Sequence, residues 1–311
     1  MANTITLAGS INFAQCFLGF KALNIGTSNE PAITAANIVM QTILGNPFIW
    51  NWNIGQIAYA LPKNWQDVVV PAATYGFIQK AGYLPANAIT NTSLTSYVAT
   101  YTCANAFVAG NPVTIVGTTN GSGALNGINL TVASAGATSF TVAITHANLS
   151  STADTGYAGS GVTSEITNTA AVLGNGTELG SPNYIAPQID DNAGNITFRV
   201  LPSADQNYIV IVTFQNRIPA LMSTTSSTWA PIPDHMSYMY QTGFTAWMLA
   251  YSLDPRWASF NQKFIASILG AAEGVSEEDK NLFLQTWTDS MNTAQSSGSR
   301  RQQGIQGIGS I

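Results

Sequence analysis

Three short runs of alternating β-branched residues lie close together in the middle of the chain, at residues 113–117, 129–133 and 139–144. Alternation with a period of two places successive side chains on opposite faces of an extended strand. The sequence Asn-Gly-Ser-Gly at residues 120–123, between the first two runs, is a strong turn signal. Strands at roughly ten-residue spacing with such turns predict a small β-sandwich, similar to an immunoglobulin-like module.

The β-rich pattern continues on both sides of this region. Further strands are predicted at residues 54–60, 67–71, 75–84, 188–200 (strand, tight turn, strand) and 208–215. The last of them is almost continuously apolar, which indicates burial on both faces. We therefore predict that residues 85–181 are an inserted module with linkers at its edges. Residues 1–84 and 182–294 then form one discontinuous domain.

Helical patterns predominate toward the C-terminus. Three helices are predicted to begin near Asp234, Asp254 and Ser276, and each start has a capping residue. Their short connections predict antiparallel packing as a three-helix bundle. A shorter helix is predicted over residues 37–44, with Thr34 as its cap and Gly45 as its end. The predicted fold class is α+β: a β-sandwich-type base with a C-terminal three-helix bundle, plus the inserted all-β immunoglobulin-like module.

Ionised side chains are scarce along the whole chain. Asp, Glu, Lys and Arg make up 8% of the residues, against about 25% in ordinary globular domains. Hydrophobic residues make up 46% and aromatic residues 10%, so the chain is uncharged rather than disordered. One explanation is an all-β fold with Ser- and Thr-rich strands. We favour the other, that neighbouring subunits cover much of the surface, because obligate interfaces deplete charge and enrich aromatic residues.

The same composition argues against several classes of protein. The net charge is −5, and Lys and Arg are absent from Ala81 to Phe198, which disfavours nucleic-acid binding. Cys16 and Cys103 do not have a metal-binding or redox spacing; two buried thiols are favoured over a disulfide, which stays possible. Neither a secretory signal at residues 1–9 nor a membrane-spanning segment is predicted.

Residues that perform chemistry are few and poorly placed. His235 adjoins Asp234 in sequence, and adjacent residues do not orient an imidazole as in a catalytic triad; His146 follows a strand. Asp190 and Asp191 lie in a turn rich in Asn and Gly that lacks the ligand spacing of a calcium loop. We predict no catalytic, cofactor-binding or metal-binding residue, and therefore no enzyme.

Segments of the C-terminal third resemble structural proteins of tailed bacteriophages. They are residues 228–234 (TWAPIPD), 254–257 (DPRW) and 260–264 (FNQKF). Residues 35–53, a short helix followed by Trp and Asn, resemble the opening of phage head-to-tail adaptor proteins. The resemblance implies a dodecameric ring whose helical part binds the portal protein and whose β-part faces the tail. It also implies that a flexible C-terminal arm, residues 295–311, inserts between portal subunits.

The expected function is therefore that of a virion structural protein in the neck, assembled in the cytoplasm of the host bacterium. Its expected partners are further copies of itself, the portal protein and tail or nozzle proteins. Genomic DNA is expected to pass through the ring without specific binding, and neither a cofactor nor a membrane is expected. The expected interface residues are Trp247, Trp257, Phe260, Phe264, Trp287, Arg300, Arg301, Ile305, Ile308 and Ile311.

Two other functions stay open. A capsid-decorating or minor head protein would bind the capsid lattice through its helices and present the β-module outward. A carbohydrate-binding receptor protein or a glycan hydrolase at the tail tip would show glycan affinity and an acidic cleft. Trp50 and Trp52 are compatible with stacking on sugars, although packing in a core or interface is favoured for them.

Overall fold

The computed structural model describes residues 4–18, 30–45, 48–71, 75–161, 163–169, 174, 176–190, 195–216, 222–272 and 275–287. It is a mixed α/β chain with large sheets, and it forms two compact units. The helical unit comprises residues 1–53 and 218–311, and the β unit comprises residues 54–217. This division differs from the predicted one, because the strands that flank the predicted insertion belong to the same unit as the insertion.

The described part of the helical unit contains five α-helices. They are α1 (Leu7–Leu18), α2 (Ala32–Leu44), α3 (Ser237–Tyr251), α4 (Trp257–Ala271) and α5, described over residues 277–287. Helix α2 begins earlier than predicted, so Thr34 lies in its first turn, where its hydroxyl donates to the Glu30 carboxylate at 2.8 Å. Gly45 follows the last helical residue, as predicted. Ser276 caps α5, since its Oγ accepts a hydrogen bond from the backbone N–H of Asp279 at 3.1 Å.

Helix α1 was not predicted, and its first turn is capped from a distance. The backbone N–H of Leu7 donates to the carbonyl of Ser227, and that of Ala8 donates to the carbonyl of Thr225, both at 2.9 Å. The first N–H groups of a helix have no partner within the helix, and a local Ser, Thr or Asp usually satisfies them. Here the turn at residues 224–227 supplies two of the acceptors. Thr6, a capping residue of the usual kind, supplies a third, because its Oγ1 accepts from the N–H of Gly9 at 3.2 Å.

The core of the helical unit is built around α3, which packs against α4, α1 and α2. Tyr240 and Phe244 are fully buried, whereas Tyr251, which helical spacing from them places on the same face, is 70% exposed. The aromatic stripe therefore leaves the core at the C-terminal end of α3. Gly243 allows α4 to approach closely, because a Cβ there would lie 2.7 Å from the ring of Phe264.

The β unit contains seventeen described strands. In chain order they are β1 (Ile54–Leu61), β2 (Asp67–Pro71), β3 (Tyr75–Pro85), β4 (Asn87–Ala88), β5 (Asn91–Thr95), β6 (Val98–Thr102), β7 (Pro112–Val116), β8 (Gly127–Ala135), β9 (Ser139–Ala143), β10 (Leu149–Ala153), β11 (Tyr157–Ser160), β12 (Ser164–Asn168), β13 (Leu179–Gly180), β14 (Tyr184–Asp190), β15 (Asn195–Leu201), β16 (Ser203–Ala204) and β17 (Tyr208–Asn216). The period-two runs of the sequence all fall on strands.

These strands form a seven-stranded sheet, an eight-stranded sheet and a short pair. The seven-stranded order is β1-β17-β3-β12-β14-β15-β2, the eight-stranded order is β10-β5-β6-β9-β8-β7-β11-β4, and β13 pairs with β16. All eight strands of the second sheet lie between β3 and β12, which pair with each other in the first sheet. Residues 87–160, here named the inserted module, therefore lie in the chain between two neighbouring strands of the seven-stranded sheet.

Strand β17 lies between β1 and β3 and is buried on both faces, as its apolar sequence predicted. Val210 and Val212 face one core, which contains side chains of the seven-stranded sheet. Ile209 and Ile211 face the inserted module, where they pack with Val116. One strand thus contributes to two cores, which explains why it lacks an alternating polar face.

Gly159 of β11 marks the closest approach between the two sheets. A Cβ at this position would overlap Leu84 Cδ1 and would lie 2.7 Å from the backbone oxygen of Pro85, which has little freedom to move. We expect Gly159→Ala to lower the free energy of unfolding by about 1–3 kcal/mol, the usual cost of overpacking. Urea denaturation followed by circular dichroism measures this change.

The matched control for that experiment is Gly136→Ala. Its Cβ would meet only the backbone oxygen of Ser139, at an ordinary 3.8 Å. This variant should be unchanged, or more stable by up to about 1 kcal/mol, because alanine restricts the unfolded chain. Equal stabilities for the two variants would contradict the close approach at β11.

Candidate interaction surfaces

Three of the predicted interface aromatics belong to the core of the chain itself. Phe264 is fully buried, and Phe260 and Trp287 are less than a tenth exposed. Trp247 and Trp257 are partly buried against the same core. This corrects the expectation that Phe260, Phe264 and Trp287 face a partner, since the helices of one chain already cover them. The other predicted interface residues lie outside the described residues: Arg300, Arg301, Ile305, Ile308 and Ile311.

Two of the exposed apolar side chains of the helical unit lie at the turn between α3 and α4. Tyr251 is 70% exposed and Leu253 is 50% exposed. Leu253 also has a φ of +55°, a left-handed conformation that is uncommon for a residue with a branched side chain. Tyr251 and Leu253 are named the helical patch. Beside them, hydrogen bonds from the Arg256 guanidinium lower the pKa of Asp254 to about 2.

A second group of exposed apolar side chains lies at one edge of the seven-stranded sheet, on the face that also contains the ion pair between Arg199 and Asp67. Val69 of the edge strand β2 is 58% exposed, and Tyr184 of β14 is 50% exposed. Val69 pairs with Thr197 of β15, and Tyr184 pairs with Leu201 of the same strand. Side chains an even number of residues apart on a strand share a face, so Val69 and Tyr184 project from the same face of the sheet. Trp65, which directly precedes this edge strand, is 61% exposed. Trp65, Val69 and Tyr184 are named the sheet patch.

The inserted module has a surface without ionised side chains. Between residues 87 and 160 the only Asp, Glu, Lys or Arg is Asp154. The structure places this residue inside the module, where it is only 7% exposed. The exterior therefore consists of hydroxyl, amide, glycine and apolar groups, apart from the single imidazole of His146. Such a surface neither attracts nor repels a charged partner strongly.

Five hydrogen bonds hold the Asp154 carboxylate. It accepts from the Thr92 hydroxyl at 2.8 Å, the Thr119 N–H at 2.9 Å, the Thr119 hydroxyl at 3.3 Å, the Asn120 N–H at 3.3 Å and the Thr155 N–H at 2.8 Å. Burial alone would raise its pKa, but the donated hydrogen bonds outweigh burial, so the pKa of Asp154 lies below its usual value. Because protein donors occupy both oxygens, this carboxylate organises a loop rather than offering a ligand site.

A cleft of about 340 Å³ lies between the seven-stranded sheet and the inserted module. Its floor includes a row of three polar side chains on adjacent strands, Gln56, Thr213 and Lys80, in register with one another. Gln56 Nε2 donates to Thr213 Oγ1 at 3.3 Å. Carboxylate, imidazole and thiol groups are absent from the residues that line the cleft.

Among the histidines and aspartates singled out in the sequence, Asp234 is held by the N-terminal segment of the chain. The carboxylate of Asp234 accepts hydrogen bonds from the backbone N–H and hydroxyl of Thr4, at 3.0 and 2.8 Å, and these bonds lower its pKa. Its neighbour His235 is exposed, and His146 lies in the other unit. Asp191 lies outside the described residues. Within the described residues no group of three or more His, Cys, Asp and Glu side chains is placed to bind a metal ion.

The two cysteines are free and differ in environment. Cys103 is buried in the inserted module, and burial raises the pKa of its thiol to about 11. Cys16 is exposed on α1. The expectation of two buried thiols is thus confirmed for Cys103 and wrong for Cys16, because the face of α1 that contains Cys16 is not covered by the helical core.

Comparison with known proteins adds no family to this description: no protein-family model matches the chain, and no curated protein matches it. Among the described residues, no helix is both long enough and apolar enough to cross a membrane. Any functional assignment must therefore come from the surfaces themselves.

Proposed function

We propose that this chain is a virion structural protein of a tailed bacteriophage that forms the neck, or head-to-tail adaptor, ring between portal and tail. The observation that supports the proposal most directly is the inserted module, whose only Asp, Glu, Lys or Arg is buried. Charged side chains normally keep a surface from associating. A module without them is suited to permanent contact with neighbouring subunits.

The two apolar patches suit a ring in particular. A closed ring requires a heterologous interface, in which one patch of each subunit meets a different patch of the next. The helical patch, Tyr251 and Leu253, and the sheet patch, Trp65, Val69 and Tyr184, are two such surfaces. Large aromatic and aliphatic side chains at these positions supply apolar contact area. Charged residues are depleted from the core of such interfaces.

The remaining features agree with the phage resemblance stated above. The inserted module, with strands paired antiparallel around a core that includes stacked Tyr101 and Phe140, is proposed to be immunoglobulin-like. The portal protein and tail proteins are the proposed partners, and the virion is the proposed location. A net charge of −5 would let DNA pass through the ring without adhering, since like charges repel.

The direct test is the mass and shape of the purified chain. We expect size-exclusion chromatography with light scattering to give a large oligomer, and electron microscopy to show closed rings with an axial opening. Mass spectrometry of purified virions should find the chain in a copy number similar to that of the portal protein. A copy number near that of the capsid protein would instead support a capsid-decorating role. A monomer at high concentration that is missing from virions would refute both.

A charge placed in the sheet patch should prevent assembly. We expect Val69→Lys to convert the oligomer to monomers, because an ammonium group buried at a subunit contact loses its hydration without gaining a partner. The side chain at position 69 is 58% exposed in the single chain, so the fold should tolerate it. Light scattering measures the oligomer, and circular dichroism checks the fold.

Gln285→Lys is the control for the assembly experiment. Gln285 is exposed on α5, outside both patches and outside the inserted module. The same charge at this position should leave the rings intact. If both variants assembled normally, the sheet patch would not be a subunit contact.

A further inference from the structure

The tip of the β5–β6 hairpin has a strained backbone that packing does not explain. Thr95 pairs with Val98, so Ser96 and Tyr97 form a two-residue turn. Both have positive φ, +52° and +66°, as in a type I′ turn. Such turns usually contain Asn-Gly, because bulky residues are disfavoured in this conformation. Tyr97 is 62% exposed, so burial of its ring does not offset the strain.

Around Tyr97 the chain forms a shallow concave surface. The backbone N–H of Ser96 donates to Asn148 Oδ1 at 3.0 Å, and the Tyr97 carbonyl accepts from the N–H of Ile144 at 2.9 Å. These bonds join the turn to the loop that follows β9. The residues that line the surface are Ser96, Tyr97, Thr145, His146, Ala147 and Asn148. An exposed aromatic ring thus lies beside hydroxyl, amide and imidazole groups.

The imidazole of His146 is oriented for hydrogen bonding. Its Nδ1 lies 2.9 Å from the carbonyl oxygen of Ala147. A carbonyl oxygen can only accept, so Nδ1 must donate, and in the neutral ring Nε2 is then an acceptor. The surface accordingly contains donors and acceptors in addition to the phenol of Tyr97.

The charge distribution narrows the class of ligand. The only Asp, Glu, Lys or Arg of the inserted module is buried Asp154, so these side chains offer a charged ligand no ion-pair partner at this surface. A single-stranded nucleic acid would stack on an aromatic ring but would also require cations for its phosphates. A neutral, polyhydroxylated ligand with an apolar C–H face matches the ring and its polar neighbours.

We propose that the concave surface at Tyr97 binds a neutral saccharide. The Tyr97 ring stacks against the C–H face of one sugar residue. Asn148, His146 and Ser96 surround the ring and hydrogen-bond the sugar hydroxyls. The strained turn is retained because it presents the ring outward. The site lies within one chain, so the proposal does not depend on ring assembly.

The test uses the full-length chain on an array of neutral, acidic and sulfated glycans. Binding of a neutral glycan, confirmed in solution by ligand-observed NMR, is expected. Tyr97→Ala should weaken that binding roughly tenfold or more, since stacking on the ring is lost. Val108→Ala, which alters an equally exposed apolar residue of the same module that does not line the surface, should leave binding unchanged.

A second variant distinguishes a binding site from a purely structural turn. Ser96→Asn combined with Tyr97→Gly restores the preferred type I′ sequence, so it should raise the midpoint of thermal unfolding while abolishing glycan binding. Three outcomes would overturn the proposal: no neutral glycan binds, acidic glycans bind better, or Tyr97→Ala binds as the parent does. Capture of a protein partner through Tyr97 in place of a glycan would overturn it as well.

Discussion

Trp229→Ala is expected to lower the free energy of unfolding of the helical unit by about 3–5 kcal/mol, the usual cost of deleting a buried tryptophan. The side chain is fully buried and stacks on Tyr240, with ring centroids 4.6 Å apart. Its indole N–H donates to Ser10 Oγ on α1 at 2.9 Å. Its segment also caps that helix through the carbonyls of Thr225 and Ser227. A cavity here would therefore loosen α1 and α3 together.

Urea denaturation followed by far-UV circular dichroism measures the decrease in the free energy of unfolding of Trp229→Ala. Tyr238→Ala is the matched control, because this aromatic residue of α3 is 55% exposed and its removal should cost less than about 1 kcal/mol. Trp229→Phe keeps most of the buried area but leaves the Ser10 hydroxyl without its donor, so an intermediate loss is expected. A Trp229→Ala variant as stable as Tyr238→Ala would show that this side chain does not hold the helices together.

Asp154→Ala, in the inserted module, is expected to lower the free energy of unfolding by about 3 kcal/mol, the second large effect. Removing the carboxylate leaves the N–H groups of Thr119, Asn120 and Thr155 and the hydroxyl of Thr92 without their acceptor. Buried donors without partners are costly, and hydrogen bonds to a charged group are stronger than neutral ones. Glu165→Ala, which removes an exposed carboxylate of the same unit, should change stability by less than about 0.5 kcal/mol.

The contribution of Asp154 should also depend on pH. Its pKa is lower in the folded state than in the unfolded chain, where about 3.9 is usual. The stabilisation is therefore complete above the unfolded-state pKa and is lost as pH falls through the lower folded-state pKa. The difference in unfolding free energy between the parent and Asp154→Asn should be constant near neutral pH and should shrink below about pH 4. A difference that grew on acidification would refute the assignment.

Local patterns predicted most regular elements because those patterns are themselves local. The period-two runs at residues 113–117 and 139–144 are strands, and Ser276 begins a helix through its own hydroxyl. Helix α1 was not predicted, although Thr6 directly before it is a usual capping residue whose Oγ1 accepts from the N–H of Gly9. The sequence did not indicate a binding site at Tyr97. Only the strand register and the backbone angles show that this residue lies in a two-residue turn with positive φ.

By itself, the sequence determined the succession of strands and helices and the scarcity of charge, because periodicity, capping and composition act over a few residues. Only the tertiary structure decided which apolar side chains remain outside: Phe264 is buried whereas Tyr251 is exposed, although both are aromatic residues of the C-terminal helices. It also decided that the one carboxylate of the inserted module faces inward. Burial and hydrogen bonding depend on residues far apart in the chain, as in the bond between Thr92 and Asp154. Local periodicity cannot predict such contacts, because it reflects only neighbouring residues.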